Sequence, residues 1–519
     1  MMKPQRVNPP FIRASFVIRH SCFVICPRVG RCFMNRMYCF TAVVLAVASA
    51  IGADLPSSQP GALKSDLALV RSALEEAHPD LYRYTPKAEL DQAWDRAATG
   101  LDHPMTALEF YRHVAPVLAL VKDGHLGWSP SEDVTAYLDE IRVLPLGVRL
   151  IGKTPMVFRD LSNSGDSLAG CEITSINGVA APKLVEEMWL RQMSDGDVVS
   201  SRGRGVGAGF ARQLVSVCNL QPPYEVTFHN SKSQKSETRR LDGRLPADFL
   251  SLWRTLWPND PEIRRERPLS ELELIDEGRI ARMRIPSFGG SEEDARRRDL
   301  RGFFANAFEQ FGAKHTQALI IDVRNNGGGE DEAGQILASY LMDKPFQYYR
   351  DLTIRETSFK FHDYITSPDP IPADMVGPKG DDGRFRVIGH PNLGTKTPRQ
   401  PTFGGKLFLI MNGASFSTTG EFLSIIKSKR PATFIGEESG AGFTGNNSGF
   451  EPGITLPATK LVLRIPLVGY YVDVSNEYPA RRGVLPDQVV RYSIEEMIAG
   501  KDKELELALS LARKAVSAE

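Results

Sequence analysis

From Leu63 to about Val121, apolar residues recur at helical spacing in three runs. SDLALVRSALEEA, AELDQAWDRAATGL and TALEFYRHVAPVLALV each place them on one face, and together they predict a small helical domain. From Val143 to about Leu241 the pattern shortens to β-type runs. GCEITSINGVAA (170–181) predicts a strand, an Asn-Gly turn and a further element. Residues 231–268 are polar and contain proline, which predicts a boundary. A strand pair over 271–288 follows, then a helix over 292–311, a buried strand ALIIDV (318–323), a glycine turn (327–329) and a helix over 331–342. Residues 365–404 carry many Pro, Gly and Asp and predict a long excursion. A second buried strand, KLFLIM (406–411), leads through a turn to a helix over 418–429, and ATFIGE (432–437) is a third. Uniformly apolar strands alternating with helices predict an α/β core with largely parallel strands. The resulting domains are a targeting segment (1–53), a helical domain (58–135), a β domain (140–242), the α/β core (265–495) and a C-terminal helix (496–519).

Two compositional features narrow the class. Lys plus Arg number 63 and Asp plus Glu number 63. A net charge of zero argues against nucleic acid or an anionic membrane surface as the main partner. The basic run Arg296 to Arg298 follows Glu292, Glu293 and Asp294 and reads as a solvated helix face. At the N-terminus, Arg36 precedes the apolar stretch YCFTAVVLAVASA, Tyr38 to Ala50. It is short for a membrane span and suits a signal-peptide core, with Ala48, Ser49 and Ala50, or Ala53, as the cleavage site. Met34 or Met37 would be better starts for such a signal. The expectation is export to an extracytoplasmic space with no stable membrane insertion after the signal is removed; an uncleaved anchor is the alternative. Four of the six cysteines lie in that segment, leaving Cys171 and Cys218. These either pair with each other or remain separate thiols, and no zinc-like spacing occurs.

Two turns carry chemistry. In KLFLIMNGASFSTTGEFLSIIKSK (406–429) a buried strand ends at Asn412 and a helix begins near Thr418. Ser417 therefore sits at a strand-turn-helix junction, beside helix N–H groups that can stabilise a developing oxyanion. Thr418 with Glu421 also fits a capping box, and on that reading Ser417 merely lies beside a helix start. In ALIIDVRNNGGGEDEAGQIL (318–337) a buried strand runs into three glycines and a helix. The turn matches neither the dinucleotide fingerprint nor the P-loop. Asp322, Arg324 and Asn325 read equally as a structural ion pair and a turn former.

Taken together, DVRNNGGG (322–329), SFSTTGEF (415–422) and IGEESGAG (435–442) resemble the serine peptidase family of C-terminal processing (tail-specific) proteases. Its group includes the tricorn core and the retinoid-binding repeats of photoreceptors. RGVLPDQVV (482–490) resembles the family's Gly-Val-x-Pro-Asp ending, and HPDLYRY (78–84) and DGHLGW (123–128) its helical N-terminal part. The resemblance implies a ClpP/crotonase-like core preceded by a PDZ-like β domain. It makes Ser417 the nucleophile, with the N–H of Thr418 and one from Gly327 or Gly328 as the oxyanion hole. The best-known members take a lysine base from Gly-Glu-x-x-x-Gly-Lys-Gly. Aligned on that pattern, this chain has Gly442 where the lysine should be, so the Ser-Lys dyad is missing.

The tricorn-like branch uses an N-terminal histidine. His125 in LVKDGHLGW matches its Asp-x-His segment, and an ordinary pKa of ~6.5 suits a histidine to base work. His78 is the runner-up. The acid orienting the base is matched by Glu477 on spacing from Ser417, with Glu437 and Glu438 as alternatives, while Asn446 and Asn447 are candidate pocket residues. The expectation is an endopeptidase acting on polypeptides, with no metal and no organic cofactor. The alternatives are a non-catalytic ligand- or peptide-binding protein on the same fold and a crotonase-like acyl-CoA enzyme, the latter disfavoured by the export signal.

Overall fold

The computed structural model describes residues 55–163, 165–260, 263, 269–289, 299–367, 371–475 and 477–517. The expected targeting segment and the run Arg296 to Arg298 lie outside the described residues. Among the described residues, no helix is long and apolar enough to cross a membrane.

The three N-terminal helices are α1 (Pro60–Ala77), α2 (Lys87–Thr99) and α3 (Ala107–Ala119). Proline opens α1, where its missing N–H costs nothing. A capping box between Thr106 and Glu109 starts α3. Their apolar stripes, including Leu67, Trp94, Phe110 and Leu118, do not close on themselves. They share one core with Ile454, Leu456 and Leu463 from the far end of the chain. The following strand, β1 (Gly127–Ser129), pairs antiparallel with Val462–Arg464, with Trp128 opposite Leu463. The helical segment is thus welded to the later α/β unit.

The β domain is an antiparallel sheet in the order β2 (Leu146–Ile151), β3 (Thr154–Asp160), β4 (Glu172–Ile176), β5 (Tyr224–Asn230) and β6 (Lys235–Leu241). Asn177 at φ 50° and Gly178 at φ 76° turn the chain after β4, as the Asn-Gly pair predicts. Helices α4 (Ala181–Trp189), α5 (Val199–Ser216) and α6 (Pro246–Leu256) complete the unit. The β-type reading of this region did not foresee α5, whose VSSRGRGVGAGFARQLVS carries four glycines. The glycines instead let it pack closely: a Cβ on Gly207 would sit 3.5 Å from the backbone of Arg149 and Leu150 in β2. Helix α6 falls inside the expected boundary and buries Phe249 and Trp253. Cys171 and Cys218 are free thiols.

The α/β core is a six-stranded sheet. Strands β7 (Glu271–Ile275) and β8 (Ile280–Arg284) form an antiparallel pair, and β9 (Ala318–Asp322), β10 (Lys406–Met411), β11 (Thr433–Gly436) and an edge strand at Gln488–Val489 add in parallel. Alternate residues serve opposite faces. Leu319, Ile321, Leu407 and Leu409 join the side covered by α7 (Leu300–Lys314), α8 (Asp331–Leu341) and α9 (Thr418–Lys429). Ile320, Phe408 and Ile410 face α10 (Lys503–Ser517) through Ala508 and Ala512. Each fully buried aromatic, such as Phe422 of α9, contributes about 1.5–3 kcal/mol over its exposed state. The 365–404 excursion is not structureless; it includes short strands at Ile365–Ser367, Val376–Lys379 and Phe385–Val387.

Candidate active site

The parallel register of β9 and β10 brings two turns side by side at one end of the sheet. Polar side chains then sew them together. Asn412 Oδ1 accepts the N–H of Asn325 at 3.1 Å and that of Ala414 at 3.1 Å. Ser415 Oγ donates to the Val323 carbonyl at 2.9 Å, and the Phe416 N–H donates to the Asn326 carbonyl at 3.0 Å. Asn325 sits at φ 60°, as a turn former, and Arg324 is held by Asp322 and Asp502, so these three residues are structural.

Ser417 ends this turn at φ 56° and ψ −130°, a region that costs a side-chain-bearing residue on the order of 1–3 kcal/mol. Strain of this kind at a strand-to-helix turn is what lifts a hydroxyl clear of its own backbone. The capping-box alternative fails on geometry. Ser417, not Thr418, is the residue before the first turn and makes no side-chain cap. Thr418 Oγ1 donates to the Gly329 carbonyl at 2.9 Å, and Glu421 points away to Tyr349 Oη (2.7 Å) and Asn446 Nδ2 (2.9 Å).

Among the described residues, no acceptor takes the N–H of Thr418 or Gly327. Gly328 differs: its N–H donates to Asn326 Oδ1 at 2.9 Å, so of the two glycines singled out in the sequence only Gly327 has an N–H to spare.

His125 meets this turn from the loop between α3 and β1. Its Nε2 lies 3.1 Å from Ser417 Oγ, and its ring packs on Phe416 with centroids 4.6 Å apart. Asp123 shapes the loop: its Oδ1 accepts the N–H of His125 at 2.8 Å and of Leu126 at 3.2 Å. Its Oδ2 takes His78 Nε2 at 2.9 Å and Asn447 Nδ2 at 2.8 Å. His78 Nδ1 accepts the Asp80 N–H at 3.2 Å, so the His78 proton is on Nε2 and is donated to Asp123. His78, the runner-up base, is thereby committed to the loop and not to Ser417.

The electrostatics follow from burial. Desolvation pushes the His125 pKa down to about 4, against the pull of Asp123, so the imidazole is neutral at pH 7. Burial raises the Asp123 carboxyl, but the hydrogen bond from His78, joined by that from Asn447, outweighs it and holds the group below its usual value. Asp195, 2% exposed, is pushed up to about 7 by burial and then by the charge of Asp123.

Asp123, His125 and Asp195 are the one group among the described residues whose donor atoms lie close enough, within 4.8 Å, to surround a cation. All four carboxylate oxygens of Asp123 and Asp195 accept hydrogen bonds from N–H groups.

Glu477 is exposed, and its N–H donates to Ser475 Oγ at 3.2 Å; the buried acids beside His125 are Asp123 and Asp195 instead. Glu438 pairs with Arg482 at 2.7 Å. Asn446 and Asn447 lie in β12 (Gly445–Ser448) and bond Glu421 and Asp123, one to each side. Spacing gave no sign of Asp195; the run Ser194-Asp195-Gly196-Asp197 was its only local signal, and that run reads as a turn. Gly442 has no room for a lysine: a Cβ there would lie 2.7 Å from Tyr84 Oη and 2.9 Å from the Gly445 carbonyl oxygen.

Residues 279–490 match the family described as peptidase family S41. Among solved structures, a mutant of CPAF superposes with a TM-score of 0.61 at 12% identity, over 88% of this chain and 97% of that one. Mature CPAF gives 0.57 at 14% identity, over 89% and 98%, and mature CPAF complexed with lactacystin gives 0.58 at 14%, over 89% and 99%. These likenesses establish a shared fold. No curated protein matches the sequence.

Proposed function

We propose that the chain, whose residues 279–490 match peptidase family S41, is a serine-type peptidase that cleaves polypeptides by acyl transfer, with Ser417 as nucleophile and His125 as general base. The observation that carries this reading is the 3.1 Å approach of His125 Nε2 to Ser417 Oγ.

Neutral His125 takes the Oγ proton as Oγ bonds to the scissile carbonyl carbon. The oxyanion is held by the N–H groups of Thr418 and Gly327. The proton then passes from Nε2 to the leaving amine as the C–N bond breaks. Water repeats the sequence on the ester, losing a proton to His125 and releasing the acid, and Ser417 recovers its hydrogen. A base with a pKa near 4 is weak at rest, yet Asp123 lies where its charge favours the imidazolium that forms. The low value has the further benefit that the base stays unprotonated well below neutral pH. The enzyme works outside the cytoplasm in this reading, supported by the apolar stretch Tyr38 to Ala50.

The test is labelling of the purified mature protein with a fluorophosphonate probe. Wild type is expected to label, and Ser417→Ala and His125→Ala, both folded by circular dichroism, are expected not to. Labelling that survives Ser417→Ala means that another group is the nucleophile. A folded wild type that neither labels nor cleaves a peptide library overturns the proposal in favour of a binding protein.

A further inference from the structure

Asp195 belongs to the β domain, in the loop between α4 and α5, and yet it is buried at the junction of all three parts of the chain. Its Oδ1 accepts the N–H of Gly124, the residue before His125, at 2.8 Å. Its Oδ2 accepts the N–H of Gly442, after β11 of the core, at 3.0 Å. Gly124 has no room to retreat: a Cβ there would sit 2.7 Å from the Phe416 ring and 3.0 Å from Asp195 Oδ1.

The loop around Asp195 is fastened to the same two partners. The Gly196 N–H donates to the Lys122 carbonyl at 3.0 Å. Asp197 binds Lys122 Nζ at 2.6 Å on one side and Arg481 Nε at 2.5 Å on the other. The His125 loop is therefore registered by a residue of a third unit against the Gly442 segment, which the Gly440 N–H ties to the Ser415 carbonyl of the Ser417 turn at 2.8 Å.

We propose that Asp195 is a positioning residue for the reaction, its ionised carboxylate bridging the Gly124 and Gly442 N–H groups so that the docked β domain sets His125 against Ser417. The proposal rests on the Ser417–His125 reading. A carboxylate accepts both N–H groups, whereas a carboxylic acid presents a hydroxyl proton to one of them and loosens that side. Charged and titratable groups face Asp195 from each packed element. Asp123 of the His125 loop raises its pKa, and Arg83 of the α1–α2 connection lowers it. Tyr84 and Glu421 also sense its charge, and His125 stands within the same cluster. Lys122, Asp197 and Arg481 are joined to one another on the outer side.

The experiment measures the fluorophosphonate labelling rate of the full mature chain from pH 5 to 9. Wild type labelling, with its loss in Ser417→Ala, secures the underlying reading independently of Asp195. The wild-type rate is then expected to rise through a limb near neutrality as Asp195 ionises. In Asp195→Asn the amide nitrogen meets one of the two N–H groups, and the rate is expected to fall on the order of 10- to 100-fold, with the neutral limb gone. A disabled but merely destabilised protein would keep that limb. Should Asp195→Asn fail to fold, Arg83→Gln tests the same point, because loss of that cation is expected to move the limb to higher pH. Asp195→Asn labelling at the wild-type rate with the limb intact, or a limb that Arg83→Gln leaves in place, overturns the proposal.

Discussion

Gly442 stands where the family resemblance places a lysine, and adding one carbon there should expose how tightly that corner is built. In Gly442→Ala the new methyl would lie 2.7 Å from Tyr84 Oη and 2.9 Å from the Gly445 carbonyl oxygen. An ordinary carbon–oxygen contact is about 0.5 Å longer, and overpacking of this order costs about 1–3 kcal/mol. The backbone oxygen is fixed in a turn by the Gly445 N–H, which donates to the Gly442 carbonyl at 3.2 Å. The Tyr84 hydroxyl is the removable half of the clash. It is buried with no hydrogen-bond partner among the described residues, so Tyr84→Phe alone should be neutral or stabilising. The double variant should then recover on the order of 1 kcal/mol relative to the sum of the single changes. Urea unfolding of the four proteins measures this, read as a shift in midpoint at constant slope. Labelling of Ser417 should slow in Gly442→Ala, since Asp195 Oδ2 loses its aligned donor, and should return partway in the double variant. Strict additivity of the two changes, or an unperturbed Gly442→Ala, would refute the reasoning.

Two further outcomes follow from the carboxylates. Glu421 is raised to about 7 by burial and then by Asp331. Between about pH 4 and 7 the native state keeps a proton that the unfolded chain has released, so this group's contribution falls as pH rises through that window and is flat above it. Glu421→Gln should flatten the stability profile between pH 5 and 8 in thermal melts, and an unchanged slope would count against a protonated Glu421. Glu477→Gln should label within about twofold of wild type, as expected of an exposed side chain. A tenfold loss would show that the acid reaches the site during turnover.

Sequence pattern reached the parts of this protein whose information is local. The helix Thr418–Lys429 and the strand Lys406–Met411 begin and end where apolar periodicity and the flanking turn residues put them. The placement of Ser417 between them needed only that junction. His125 needed the resemblance, because a histidine in a glycine loop has no periodic signature of its own. The burial of Asp195 beside His125 was illegible for a physical reason: Asp195 bonds partners 71 and 247 residues away, through backbone N–H groups that any residue supplies. Spacing from Ser417 pointed to Glu477, but spacing along a chain does not measure burial. Helix α5 was hidden by its glycines, which lower helix propensity while permitting the close packing that stabilises it here.

Strand β12 has a consequence in time as well as in space. Its neighbouring residues Asn446 and Asn447 face opposite sides, one bonded to Glu421 on the Ser417 helix and one to Asp123 in the His125 loop. Ser417 and His125 are 292 residues apart, yet this one step of backbone gauges their separation. During synthesis the histidine emerges first, the serine second and the gauge last. A ribosome-bound chain that ends before Gly445 holds His125 and Ser417 without the strand that spaces them, so on the proposed reading competence waits for Asn446 and Asn447.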